Sequence, residues 1–211
     1  MTDSTLIREF QSEVAELFFS LPESSSFLLA GGLALLAQGM STRLTEDIDA
    51  FTSKPGDLHK AWDAFKIAAL ARGWRVETQR ISETFIRCEV HSLDSVLVDL
   101  ALDSPPGLPA SMTTLGPTYA PLELAARKLL ALFDRAMPRD FVDIYVMTRT
   151  WSTEEIYSLA LSLDSGLEPK YLAIAIQQLR KYSDQQLDID ANFIDDLRNF
   201  FDQWGQDLLS S

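Results

Sequence analysis

Cysteine is nearly absent: Cys88 is the only one among 211 residues, which excludes an internal disulfide framework. In a strand setting its default role is that of a buried structural thiol. Histidine is scarce as well. His59 and His91 have no cysteine or second histidine at zinc spacing, so neither marks a metal or catalytic site. The longest apolar run, around residues 27–37, is too short to cross a bilayer and is broken by glycines. The first ten residues lack the basic start and apolar core of a secretory leader. There is no low-complexity tract and no internal repeat. These absences give the expectation of a cytoplasmic protein without a membrane partner.

Positive charge is also short. Eighteen Lys and Arg face 31 Asp and Glu, a net charge of −13. A protein that grips a nucleic-acid backbone indiscriminately needs a basic surface, so nonspecific DNA binding is not expected. An RNA substrate would have to meet shape or a local basic patch. Arg72, Arg75, Arg80, Arg87, Arg127, Lys128, Arg135 and Arg139 are the residues available for one. The same acidity suits a nucleotide arriving with its cation, or a basic protein partner. A hydrophobic content of 46% is ordinary for a globular chain with an ample core.

What is present is concentrated in Phe27-Leu-Leu-Ala-Gly-Gly-Leu-Ala-Leu-Leu-Ala-Gln-Gly39 and Arg43-Leu-Thr-Glu-Asp-Ile-Asp49. The first stretch reads as a strand, a Gly31-Gly32 turn and a short helix. The second reads as a strand over 43–52, whose alternation puts Arg43, Thr45, Asp47 and Asp49 on one face and sends Leu44 and Ile48 into the core. Two carboxylates held side by side call for a compensating cation. Oxygen donors of this kind suit Mg²⁺, which keeps room for substrate phosphates. The glycine pair allows a close backbone approach, and the following helix offers N–H groups to a phosphate. Asp188-Ile-Asp190 repeats the spacing without a preceding glycine pair. It opens the periodic segment 193–204 and reads as a helix N-terminus.

The order of these elements resembles the DNA polymerase β-like nucleotidyltransferase superfamily and, within it, the AbiEii-type toxin family. That pattern runs Gly-Gly, a short helix, then Arg-x-Ser/Thr-x-Asp-φ-Asp, met here by Gly31, Gly32, Arg43, Thr45, Asp47, Ile48 and Asp49. Leu33 stands where a serine often follows the glycines. The resemblance implies a third carboxylate on a neighbouring strand, and Asp99, inside the apolar stretch 95–102, is the candidate; pairing with an arginine such as Arg87 is the competing account. It also implies a helix Lys-Leu-x-Ala-Leu-x-x-Arg followed by Arg-Asp-x-x-Asp, which correspond to Lys128 to Arg135 and Arg139 to Asp143. The family roles carried over are phosphate contact for Lys128 and an active-site role for Asp143. An internal Arg139–Asp143 ion pair would explain the same spacing. Asp140 reads as a structural partner for Arg127 or Arg135.

Periodicity predicts helices over 5–20, 33–38 and 58–72, and strands over 27–30, 75–80, 84–91 and 95–102, with 115–119 extended. Beyond Pro121 the pattern is helical: 122–135, 139–148, a capping box at Ser152 to Glu155, 168–182 and 191–209. The expected fold is α+β (α/β): a mixed sheet flanked by helices in a nucleotidyltransferase core over 1–118, with a helical region over 119–211 packed on it. Phe193, Phe200, Phe201 and the tryptophans read as core.

The resemblance then implies a Mg²⁺-dependent nucleotidyltransferase, with Mn²⁺ as a substitute. Its metal residues are Asp47, Asp49 and Asp99. Its substrate-binding residues are Gly31, Gly32, Arg43, Thr45 and Lys128, and Asp143 completes the catalytic set. An NTP is the donor. The expected acceptor is RNA, tRNA in particular, and the expected partner is a cognate antitoxin. A small-molecule acceptor such as an antibiotic and a noncatalytic binding module stay open as alternatives.

Overall fold

The computed structural model describes residues 7–210. The expected helix start at residues 5 and 6 lies outside these. Among the described residues the chain forms one mixed seven-stranded sheet and eight α-helices, in two compact units, 1–121 and 122–211.

The first unit opens with α1 (Glu9–Phe19) and β1 (Phe27–Ala30), followed by α2 (Gly31–Ala37) and β2 (Asp47–Thr52). Next come α3 (Asp57–Ala71), β3 (Arg75–Ile81), β4 (Phe85–His91) and β5 (Ser95–Leu102), then a short hairpin of β6 (Ser111–Thr113) and β7 (Gly116–Thr118). The strand order is β3-β4-β5-β2-β1-β7-β6. Strands β2–β5 and β1–β7 pair in parallel and the rest antiparallel.

Alternation divides the sheet into two faces. Ile48, Ala50, Ile86, Cys88, Val90, Val96, Val98 and Leu100 are buried; helices α1 and α3 contact β5, and α3 also contacts β4. The seam is aromatic. Phe18 of α1 meets Phe27 of β1 at 5.2 Å and Phe65 of α3 at 5.6 Å, both edge to face. Each such pair adds about 1 kcal/mol beyond the area it buries. Gly73, at φ +79°, ends α3 in the left-handed conformation that a glycine adopts without penalty.

The other face carries Asp47, Asp49, Phe51, Phe85, Arg87, Glu89, Leu97 and Asp99. Here the chain departs from expectation. Arg43–Glu46 is not strand: β2 begins at Asp47. Its first two residues, Asp47 and Ile48, pair with Leu97 and Val98 of β5 alone, and β1 joins only from Asp49 onward; before Asp47 neither neighbouring strand pairs with the segment. Residues 45–47 are held instead by side chains of the N-terminal segment. Gln11, fully buried, donates its amide to the carbonyls of Thr45 (3.2 Å) and Asp47 (3.1 Å), and Arg8 donates to that of Glu46 at 3.3 Å. Off the strand, Leu44 is 62% exposed instead of core, while Ile48 is fully buried as expected.

The second unit comprises α4 (Pro121–Arg135), α5 (Pro138–Met147), α6 (Thr153–Leu163), α7 (Pro169–Ile176) and α8 (Ile194–Ser210). Ser152 and Glu155 form the capping box of α6. Asp190 accepts from the Asn192 amide ahead of α8, so the second Asp-x-Asp is a helix cap. Phe141, Leu129, Leu132 and Phe201 are buried, with Phe141 and Phe201 in edge contact at 5.1 Å. Phe193 departs from the expected core: it is 38% exposed and lies beneath the Arg149 guanidinium.

Candidate active site

The site in the first unit is organised by one row of paired residues. Across β1, β2, β5, β4 and β3, the register sets Ala30 beside Asp49, Asp49 beside Asp99, Asp99 beside Arg87 and Arg87 beside Arg80. Partners in register share a face. Asp47, two residues before Asp49, therefore lies on the same face, beside Leu97.

Gly31 and Gly32 open α2 directly after Ala30. A Cβ at Gly31 would overlap the Asp49 carboxylate, and one at Gly32 would lie 2.8 Å from Thr45 Oγ1 and 3.5 Å from an Arg43 guanidinium nitrogen. The glycines thus make room for this chain's own Asp49 and Thr45. Gly31 also holds φ +63°, which costs an L-residue with a side chain about 1–2 kcal/mol. Leu33 is fully buried, so its side chain offers nothing to a ligand.

Asp99 is 5% exposed, and both its oxygens are engaged by Arg87: Nε donates to Oδ1 at 2.7 Å and an Nη to Oδ2 at 2.5 Å. This is the planar bidentate pairing that suits guanidinium to carboxylate. The hydrogen bond to Asp99 raises the Arg87 pKa, partial burial opposes the rise, and the charges of Asp99, Asp47 and Asp49 add to it. Arg87 is therefore a permanent cation within the field of all three carboxylates. On the opposite side of β4, burial pushes the Cys88 thiol up to about 12, reinforced by Asp99, as expected of an inert structural thiol.

Among the described residues no cluster of three or more acidic, His or Cys side chains stands ready to cage a metal. This donor set suits Mg²⁺ all the same, because that ion takes one or two carboxylates and completes its shell with substrate oxygens. Asp47 and Asp49 are the pair on this face that would hold it; Asp99 faces the same way with both oxygens bound by Arg87.

In the second unit Lys128 of α4 and Asp143 of α5 are both buried, at 8% and 2% exposure, and form an ion pair at 2.6 Å. The expected alternative, an Arg139–Asp143 pair, gives way to this one. Asp140 is bound by Arg135 at 2.9 and 3.0 Å, and its carboxylate accepts the Met137 N–H at the start of α5. Arg127 pairs with buried Glu123 at 2.9 Å. Five of the eight residues available for a basic patch, Arg75, Arg87, Arg127, Lys128 and Arg135, are thus ion-paired within the protein.

Gln11, Arg8 and Arg87 are the residues that sequence reasoning left without a site role. Gln11 had no signal, since a glutamine on a helix reads as exposed. The sequence offers Arg87 for a basic patch and as the competing partner of Asp99, but not as the clamp on a site carboxylate.

The mixed sheet, with paired carboxylates beside a glycine-initiated helix, has the form that the resemblance to nucleotidyltransferases implies. The family model described as "Nucleotidyl transferase AbiEii toxin, Type IV TA system" matches residues 16–209, and the chain belongs to that family of nucleotidyltransferases. The fold is similar to JHP933 from Helicobacter pylori (TM-score 0.59, 19% identity, 93% of this chain and 88% of that one). It is also similar to the nucleotidyltransferase toxin MenT4 from Mycobacterium tuberculosis (TM-score 0.60, 15% identity, 94% and 91%). A third likeness is to the antibiotic-resistance factor ANT(2'')-Ia (TM-score 0.53, 12% identity, 81% and 98%). At these identities the likenesses speak for the fold. No curated protein matches the sequence. No helix among the described residues is long and apolar enough to cross a membrane.

Proposed function

We propose that this nucleotidyltransferase transfers a nucleoside monophosphate from an NTP to a hydroxyl of RNA, tRNA in particular. It does so with Mg²⁺, or Mn²⁺ in its place, in the cytoplasm, as the toxin partnered by a cognate antitoxin. The observation that carries the reading is the juxtaposition of Asp49 with Gly31 on the face that also bears Asp47.

Asp47 and Asp49 are the carboxylates that hold the metal. Held between them, Mg²⁺ would supply positive charge against that developing on the transferring phosphate and the leaving pyrophosphate. The backbone of Gly31 and Gly32 and the Arg43 guanidinium receive the triphosphate, and Thr45 fixes the turn against Gly32. Phosphate contact by Lys128, with Asp143 supporting it, is proposed on the family resemblance alone. The acceptor oxygen attacks the α-phosphorus in line. A new O–P bond forms, the bond to pyrophosphate breaks, and the hydroxyl proton passes to water.

Incubating the purified protein with each α-labelled NTP, Mg²⁺ and total RNA tests the reading. Label is expected in RNA from at least one NTP, and loss of that label when EDTA replaces Mg²⁺. Absence of label from RNA with every NTP contradicts the acceptor, and undiminished labelling in EDTA contradicts the metal.

A further inference from the structure

The paired row through Asp49 continues past Arg87. Arg80 on β3 is the register partner of Arg87 on β4, so two arginines stand side by side on the carboxylate face. Phe85, two residues before Arg87, lies under both guanidinium groups, 5.3 Å from that of Arg80 and 5.6 Å from that of Arg87. Arg80 is exposed and takes part in no ion pair among the described residues.

Like charges directly opposite on neighbouring strands destabilise a sheet. Here the arrangement is built and fixed, with one guanidinium clamped by Asp99 and both resting on an aromatic ring. Restraint of this kind lowers the entropy cost of binding an anion. It also runs against the composition, because the chain carries a net charge of −13.

The position of the pair in the sheet gives it a role. Asp49 is flanked on the β1 side by Gly31, and on the β5 side by Asp99 and then Arg87. In an in-line displacement the acceptor and the leaving group lie on opposite sides of the transferred phosphorus. With the triphosphate at the glycines, the acceptor enters from the β4 and β3 side. We infer that Arg80 and Arg87 form an acceptor-side phosphate site, which holds a backbone phosphate of the strand whose hydroxyl attacks. The direction of entry rests on the nucleotidyl-transfer reading above; the anion site itself rests on the arginine geometry.

The test is fluorescence anisotropy with a short labelled single-stranded oligoribonucleotide, in EDTA, over a series of salt concentrations. Arg80→Ala should weaken binding about tenfold, the scale of one lost charge-assisted contact. It should also reduce the slope of log K against log salt by about 0.7, one phosphate contact to a single strand. Arg80→Lys should keep most of the slope. Arg75→Ala removes the same charge from the other end of β3, where Arg75 pairs with Glu77, and should change neither quantity.

Unchanged affinity and slope for Arg80→Ala overturns the site. Equal losses for Arg75→Ala and Arg80→Ala, or no binding by the wild type, overturn it as well. In the transfer assay Arg80→Ala should raise KM for RNA and leave KM for the NTP alone. A wild type that transfers to RNA with no change of KM in Arg80→Ala sinks this site and spares the transfer reading. A wild type that binds the oligonucleotide through Arg80 yet transfers nothing supports the site and sinks the transfer reading.

Discussion

Gly31 and Asp49 occupy one another's space: a Cβ on residue 31 would sit 2.7 Å from Asp49 Cγ and overlap its Oδ2. The carboxylate is therefore aimed by backbone, and the residue that aims it also holds φ +63°. Gly31→Ala should cost about 1–2 kcal/mol of stability from the left-handed conformation. It should displace the carboxylate and weaken Mg²⁺–NTP binding by about tenfold or more. Calorimetry on the folded variant checks this, and wild-type affinity would show that Asp49 does not hold the metal.

Gln11 controls the same carboxylates from α1. Its amide bonds to the carbonyls of Thr45 and Asp47 replace the strand pairing that this segment lacks. Gln11→Leu removes two hydrogen bonds, each contributing about 1 kcal/mol, and loosens the entry to β2. The Mg²⁺ activation curve should shift to higher concentration in this variant while kcat at saturating metal changes less. An activation curve that superimposes on that of the wild type would reduce Gln11 to a purely structural residue.

The Lys128–Asp143 pair changes what substitution at either residue should do. A solvated helix lysine would be replaceable with almost no loss, but Lys128 and Asp143 are buried together. Removing one partner strands the other, at a cost of about 3–5 kcal/mol. Lys128→Met and Asp143→Leu should each destabilise by that order, while the double variant recovers much of the loss. Transfer should be abolished in all three. Additive destabilisation in denaturant melts would show that the pair is not coupled, and normal transfer in the restabilised double variant would leave the pair as scaffold.

The glycine pair, Asp47-Ile48-Asp49 and the apolar alternation of residues 95–102 were legible because each is local: a period, a turn residue, a short spacing. The same periods located α3, the strands over 75–102 and the helices beyond Pro121. The site's supports were not legible, because they are long-range. Gln11 lies more than thirty residues from the carbonyls it holds, and the Arg87–Asp99 pair becomes specific only with the β4–β5 register. Arg43 and Thr45 look like strand in sequence, but the β2–β5 pairing begins only at Asp47, and no neighbouring strand pairs with the residues before it. The β6–β7 hairpin was half missed, because three-residue strands beside Pro109 and Pro117 carry too little alternation to detect.

Cys88 supplies a pH dependence. Burial, with Asp99 adding, raises its folded pKa to about 12 from a reference value of 9.0. The folded state therefore keeps a proton that the unfolded chain loses. The resulting stabilisation is complete below about pH 9 and is lost as pH rises toward 12. Cys88→Ala should flatten the fall in stability over that window, and the native thiol should resist alkylation until the protein unfolds. Rapid native alkylation at pH 8 would contradict the burial on which this rests.

The most direct measurement is the rate of α-label transfer from NTP to RNA by Asp47→Asn/Asp49→Asn, compared with the wild type at equal folded concentration verified by circular dichroism. Both carboxylates lie on the open face of β2, at half-buried positions, so the double variant should fold. Its transfer should fall by about 10²-fold or more, the scale of losing charge stabilisation at the reacting phosphate, and its NTP binding should no longer respond to Mg²⁺. Transfer at the wild-type rate by the double variant would contradict the assignment of the chemistry to Asp47 and Asp49.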